Sequence, residues 1–218
     1  MNFAFTEEQD ELRSTIRAFM EAKSSEEAVR EQMETDNGFD SDVWTQMAEQ
    51  MGLQGLHIPE EYGGSGFGYV ELGIVLEEMG RALLCAPFFS SVVLAANTLM
   101  QSGDDAAKSA HLPGIAAGST IATVAFTEPN GKWDEAGITM EASGSGSDVT
   151  LNGTKSFVLD GHLADLIIVR GNPLEDIKVL QTADNILAVM KDGQIFSGLL
   201  DPCSPHQKSA DELSGLLE

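Results

Sequence analysis

Positive charge is what this 218-residue sequence has least of: Lys and Arg number 12 against 35 Asp and Glu, for a net charge of −23. So acidic a chain repels phosphate backbones and anionic membrane surfaces, which argues against nucleic acid and membrane as partners. Small anionic ligands stay open, because nucleotides bind through a few local donors and helix N-termini. Cysteine is also scarce. Cys85 and Cys203 lie far apart and form no CxxC pair, so neither a disulfide framework nor a zinc site is signalled, and a reducing cytoplasm is the expected location. No window approaches the roughly 18 consecutive apolar residues of a membrane span, and the N-terminus lacks a basic start followed by an apolar stretch. His57, His111, His162 and His206 are scattered without HxH or HExxH spacing, so no metal ligation is expected.

With 42% hydrophobic residues the chain can bury a core, as one large domain or two small ones. Thr6 to Gln9 reads as a capping box, after which Leu12, Ile16, Phe19 and Met20 share one helix face. Ser24 to Glu27 starts a short charged helix, and Asp40 caps a third that carries Val43, Trp44, Met47 and Met51 and ends near Gly52. Pro59 and the glycines up to Gly66 force a fixed loop; they fail GxGxxG spacing, so a structural role outweighs a phosphate cradle. Val70, Ile74, Val75 and Met79 mark a further helix, and Phe88 to Met100 a more apolar one after Pro87. Asp104 to His111 reads as a last short helix broken at Leu112-Pro-Gly114. Glu60, Glu61, Glu77 and Glu78 are expected to be solvated helix-edge carboxylates.

From Thr120 the period becomes strand-like, over Thr120 to Phe126, Val149 to Leu151, Ser156 to Leu159 and Leu166 to Val169. Asn152-Gly153 predicts a hairpin joining the second and third of these, and Ser143 to Asp148 an exposed turn. Asn152-Gly-Thr154 also matches a glycosylation acceptor, but a turn is the simpler reading. Ile121 to Phe126 followed by Thr127-Glu-Pro-Asn-Gly131-Lys-Trp133 couples a buried strand to a polar turn beside an aromatic wall, which suits a flat heteroaromatic cofactor. Glu128 divides evenly between a polar site and turn stabilisation, and Trp133 between walling a site and covering a turn. The expected fold is α+β: an all-α N-terminal domain, then a partial antiparallel β domain and a β-hairpin tail.

Phe5-Thr-Glu-Glu-Gln9, Pro59-Glu-Glu-Tyr-Gly-Gly-Ser-Gly66, Phe126-Thr-Glu-Pro129 and Asn152-Gly-Thr-Lys-Ser-Phe157 together resemble the acyl-CoA dehydrogenase family, in its order and approximate spacing, from Met1 to about Val169. The resemblance implies a helical domain over 1–118 and a partial middle β domain over 119–169. It also implies FAD, weakly bound, and an acyl-CoA substrate dehydrogenated at Cα–Cβ: a carboxylate removes the α-proton while flavin N5 accepts the β-hydride. Carried over, Phe126 and Thr127 contact the pyrimidine and N5 edge, and Phe157, Val158 and Leu159 cover the other side of the ring; Trp133, which is not part of the family pattern, is the candidate substrate-binding residue by its position as an indole after Gly-Lys. Two departures stand out. Lys132-Trp133 replaces the family's Gly-Ser, and Phe157-Val-Leu159 replaces Trp-Ile-Thr, so Leu159 offers no hydroxyl; both look like changes in bacterial branches that handle steroid-derived or other bulky acyl-CoAs.

Ala164-Asp-Leu-Ile-Ile-Val169, Gly171-Asn-Pro173 and Asn185 to Phe196 resemble the end of metal-dependent amidohydrolases, without their metal ligands. Asp192-Gly193 is in any case a tight hairpin signal. The resulting expectation is a chimera, with an amidohydrolase-like segment over 170–197 and a disordered or short helical tail over 198–218. In the family the glutamate base usually sits in a C-terminal helical domain that this reading finds absent. No catalytic residue is therefore assigned, and a truncated chain inactive alone is expected. A non-catalytic partner or structural subunit in a homo- or hetero-oligomer is the alternative, and an amidohydrolase fragment a more distant one.

Overall fold

The computed structural model describes residues 4–133, 135–145, 148–169, 186–191 and 194–197. Contacts divide the chain into two compact units, Met1–Ala96 with Ala110–Ile121, and Asn97–Ser109 with Ala122–Glu218.

The first unit is helical, and its helices start where local chemistry directs. Helix α1 (Glu7–Lys23) is opened by Thr6, whose hydroxyl accepts from the Gln9 amide while the Gln9 side chain accepts from the Thr6 amide. Ser25 caps α2 (Glu26–Met33), and one Asp40 carboxylate oxygen accepts from the Asp42 and Val43 amides to cap α3 (Ser41–Glu49). Helix α4 (Tyr69–Arg81) follows, then a π-helical stretch, Phe89–Ala95, that runs into α5 (Ala96–Gln101). Ile16 and Met20 of α1, Met47 of α3, Val75 of α4 and Val92 meet in one buried cluster. Such residues, each removed from water, dominate the stability of the unit.

Between α3 and α4 the glycine-rich loop is shaped by contact between backbones. The Ser65, Gly66 and Phe67 amides donate to the carbonyls of Gly55, Ile58 and Leu56, each at 2.9 Å. A Cβ on Gly64 would lie 2.0 Å from the Ile58 oxygen and 2.6 Å from that of Gly55, so only glycine fits there.

Four expectations for the helical part are corrected. Helix α6 runs from Asp105 to Ala116 straight through Pro113. The ring removes one amide donor, but Leu112 and Ile115, flanking it, are 0% and 1% exposed, and their burial outweighs the loss. Phe88 to Met100 is partly π rather than wholly α. Val70, at the first turn of α4, is 53% exposed, and Leu72 takes the inward position. Glu78 is not solvated: it is fully buried and receives Arg13, Arg17 and Arg81. The Arg17 bond, with Arg81 and Arg13 adding to it, overrides the upward push of burial and holds the Glu78 carboxyl at about 2.

The second unit contains β1 (Ala122–Val124), β2 (Glu141–Ser145), β3 (Asp148–Asn152), β4 (Asp165–Val169), β5 (Ile186–Lys191) and β6 (Gln194–Ser197). Its four-stranded sheet has the order β1-β4-β5-β6, and β2 and β3 form a separate antiparallel ribbon. The sheet is mixed, not purely antiparallel, because β1 pairs with β4 in parallel. Parallel neighbours need a long connection, and the β2–β3 ribbon lies within it. The hairpin expected at Asn152-Gly153 does not form: β3 pairs back with β2, Leu151 opposite Ala142, and residues 156–159 are not a strand. Phe157 (φ 55°) and Asp160 (φ 51°) adopt left-handed conformations that no ladder tolerates. β5 and β6 form the tail hairpin, Lys191 opposite Gln194. The Asp192-Gly193 turn, the tip of the 143–148 turn at 146–147, Cys203, His206, residues 170–185 and the 198–218 tail lie outside the described residues.

Candidate functional site

Strand β1 is short, and the chain leaves it through buried Ala125 into half-buried Phe126, then buried Thr127 and Glu128. There it turns sharply. The Gly131 amide donates to the Glu128 carbonyl at 2.9 Å with Gly131 at φ 68°, the left-handed position for which glycine is suited. Asn130 locks the turn, its side-chain oxygen accepting from the Lys132 amide (2.9 Å) and its amide donating to the Gly137 carbonyl (2.6 Å). Trp133 then stands edge-on to Phe126, ring centroids 5.6 Å apart and 88° between planes, and is 63% exposed.

Residues 155–159 return alongside this segment in the opposite direction. The Ser156 amide donates to the Thr127 carbonyl at 2.7 Å, and the Thr123 hydroxyl donates to the Leu159 carbonyl, also at 2.7 Å. Phe126 and Thr127 thus lie on one tethered segment, and Phe157, Val158 and Leu159 on its partner. Trp133 touches the first. Phe157 is 88% exposed and Leu159 52%, so the surface between satisfied backbone ties presents apolar and aromatic groups to solvent.

Next to Thr127, Glu128 gathers Thr139, Met140 and Lys155, partners that no local pattern marks. The Glu128 carboxylate, 2% exposed, accepts from the Thr139 amide (2.7 Å) and hydroxyl, the Met140 amide (3.1 Å) and the Lys155 ammonium (2.9 Å). Lys155 also reaches the Phe126 carbonyl at 3.4 Å. Burial alone would raise the Glu128 pKa; the Thr139 hydroxyl, Lys155 and the two amides outweigh it and hold the group at about 2. Glu128 is therefore a staple between three stretches of chain, ionised at neutral pH, and its role falls on the side of stabilising the turn. A signal did exist in the sequence: Lys155 is a cation two residues before an aromatic in a chain poor in cations.

Elsewhere, an open groove of about 660 Å³ in the first unit is lined by Met20, Val29, Met33 and Leu83, with Arg30 and Arg81 at its rim. Both arginines are engaged, Arg30 by Glu26 and Arg81 by Glu78 and Glu21. Among the described residues, no group of three His, Cys, Asp or Glu side chains could hold a metal ion.

Comparison with known proteins decides the ancestry. Residues 6–119 match the model of the acyl-CoA dehydrogenase N-terminal domain. The chain belongs to the acyl-CoA dehydrogenase family. A mitochondrial isovaleryl-CoA dehydrogenase from Pongo abelii is 32% identical over 168 residues, which cover 75% of this chain and 39% of the relative. A chain of the ChsE4–ChsE5 complex from Mycobacterium tuberculosis is 28% identical with a TM-score of 0.69, covering 87% of this chain and 48% of that one. A glutaryl-CoA dehydrogenase from Mycobacterium smegmatis in complex with FADH2, at 24% identity and TM-score 0.68, covers 83% and 44% and shows the shared fold. This acyl-CoA dehydrogenase chain thus spans less than half the length of these relatives, and its helical part has the family fold.

Proposed function

We propose that this chain contributes the helical domain (1–118) and flavin-facing β segments (within 119–169) of an FAD-dependent acyl-CoA dehydrogenase that forms a double bond between Cα and Cβ of an acyl-CoA thioester. The observation that carries the reading is the pair of tethered segments, 126–127 and 156–159, from which Phe157 projects 88% exposed. Bound FAD would supply the hydride acceptor. Phe126 and Thr127 would hold one side of its ring system, and Phe157, Val158 and Leu159 the other, with stacking from Phe157 and no hydroxyl from Leu159. Trp133, braced edge-on by Phe126, would wall the acyl group. That the M. smegmatis glutaryl-CoA dehydrogenase was solved with FADH2 supports the choice of cofactor.

Glu128 has no proton to give and no vacant lone pair to offer as a base, so none of the described residues is assigned catalysis. The 218-residue chain alone is then expected to bind flavin weakly and not to turn over. Purification with added FAD, followed by anaerobic acyl-CoA titration, tests both parts. The visible band of bound oxidised flavin should appear and should survive acyl-CoA. Its absence would refute the flavin reading, and its bleaching would refute the expectation of inactivity.

Likeness to a chain of a two-protein complex favours, as a second reading, a non-catalytic subunit that pairs with a fuller dehydrogenase. Co-purification with such a subunit is its test. The amidohydrolase-like reading of 164–197, and a join near Val169, rests on residue resemblance alone. Genomic sequence across the codons for Asp160 to Asn172 decides it. A cytoplasmic location is part of the same proposal; among the described residues, no helix is long and apolar enough to cross a membrane.

A further inference from the structure

Three ties hold the 155–159 segment against the end of β1, and they run in opposite order along the two segments: Thr123 with Leu159, Thr127 with Ser156, Glu128 with Lys155. One is backbone to backbone. The Lys155 tie differs in kind, because its ammonium bridges two acceptors on the first segment, the Phe126 carbonyl and the Glu128 carboxylate. Both charged side chains are withdrawn from water, Lys155 at 9% exposure and Glu128 at 2%. The remaining acceptor capacity of Glu128 goes to Thr139 and Met140, which anchors the approach to β2 as well. Phe126 and Phe157 are each two residues from a member of this pair, so any change in its geometry moves both.

We propose that Glu128 and Lys155 are positioning residues: their buried pair presets the separation of the two flavin-facing segments, so flavin affinity depends on it although both side chains lie in the interior. The inference rests on the flavin reading above. Its physical basis is preorganisation. A ring bound between walls already in place forgoes the cost of ordering them, whereas walls that must be gathered lower the affinity by that cost. A left-handed Phe157 needs such support, since that backbone conformation is unfavourable for a residue with a Cβ.

The test uses the full 218-residue chain and FAD as the probe, followed by flavin fluorescence quenching and the visible absorption band. Replacing one partner strands a buried charge, so the principal variant is the double substitution Glu128→Gln with Lys155→Met, which leaves none. With far-UV circular dichroism unchanged, it should bind FAD about tenfold more weakly, ~1.4 kcal/mol, and lose the resolved shape of the bound-flavin band. Lys155→Arg, which keeps the bridging charge, should restore both. A folded double variant with wild-type FAD affinity overturns the inference and leaves the flavin reading standing; a wild-type chain that binds no FAD overturns both. Should the double variant not fold, amide exchange in the wild-type chain without FAD decides the matter. Preset walls require the Thr139, Met140 and Ser156 amides to be protected before flavin arrives, and unprotected exchange there sinks the proposal.

Discussion

Among the described residues, each unit withdraws a carboxylate from water and keeps it ionised, but by different means. Glu78, in the helical unit, meets three guanidinium groups from α1 and α4, whose side chains are 17–46% exposed. Glu128, in the β unit, meets a single ammonium and otherwise backbone amides and a hydroxyl. The first arrangement joins side chains and so fixes how two helices lie against each other. The second grips the backbone itself and so fixes the path of irregular chain, which has no ladder to hold it. Their resilience differs too: if Glu78 is lost, the arginines can turn to water, whereas Lys155 without Glu128 cannot.

The largest break in this comparison is Lys155→Met, which strands the Glu128 carboxylate and should cost about 3–5 kcal/mol. Hydrogen exchange should rise across residues 122–160 while α1 and α4 keep their protection; equal loss in both would refute the division of labour. Glu78→Gln should cost less, about 1–3 kcal/mol, read as a lower urea midpoint of the helical circular dichroism signal. A cost above that of Lys155→Met would invert the argument. Acid acts on both carboxylates at once. Both carboxyls fall from 4.5 to about 2 on folding, so the folded chain binds fewer protons than the unfolded chain in that range. Their stabilisation is complete above about 4.5 and is lost as the pH drops toward about 2. Glu78→Gln should flatten this slope for the helical signal alone. The smallest change is a gain: Gly73→Ala, on the same helix as Glu78, would place a Cβ that meets nothing within 4 Å. It should raise stability by about 0.5–1 kcal/mol without altering the acid slope.

The parts that were legible in the sequence are those decided within one turn of chain. Thr6 and Asp40 cap as their spacing suggests, α2 starts within Ser24 to Glu27, and the polar turn after β1 forms where Asn130 and Gly131 place it. The misreadings share a cause. Pro113 reads as a helix end because its missing donor is local, whereas the burial of Leu112 and Ile115 that overrides it is not. Asn152-Gly153 reads as a hairpin because its flanks are apolar, but the segment beyond it is claimed by Thr127 and Glu128. Of the candidate site, family likeness points to Phe126, Thr127 and residues 157–159, and the turn points to Glu128, but no local pattern pairs Glu128 with Lys155. Phe157 and Trp133 advertise themselves as aromatics beside turns, while Lys155 looks like any other lysine until its carboxylate is known.

By itself, then, the sequence determined the helix starts, the turn at 128–131 and the family, since capping and turn chemistry act between neighbours a few residues apart. Only the tertiary structure decided that Lys155 meets Glu128 across 27 residues and that Arg13 and Arg17 meet Glu78 across 65 and 61. It also decided that β1 pairs with β4 and β3 with β2. Partners so distant carry no local mark, because which of 35 acidic side chains a given cation meets depends on how apolar burial brings the segments together.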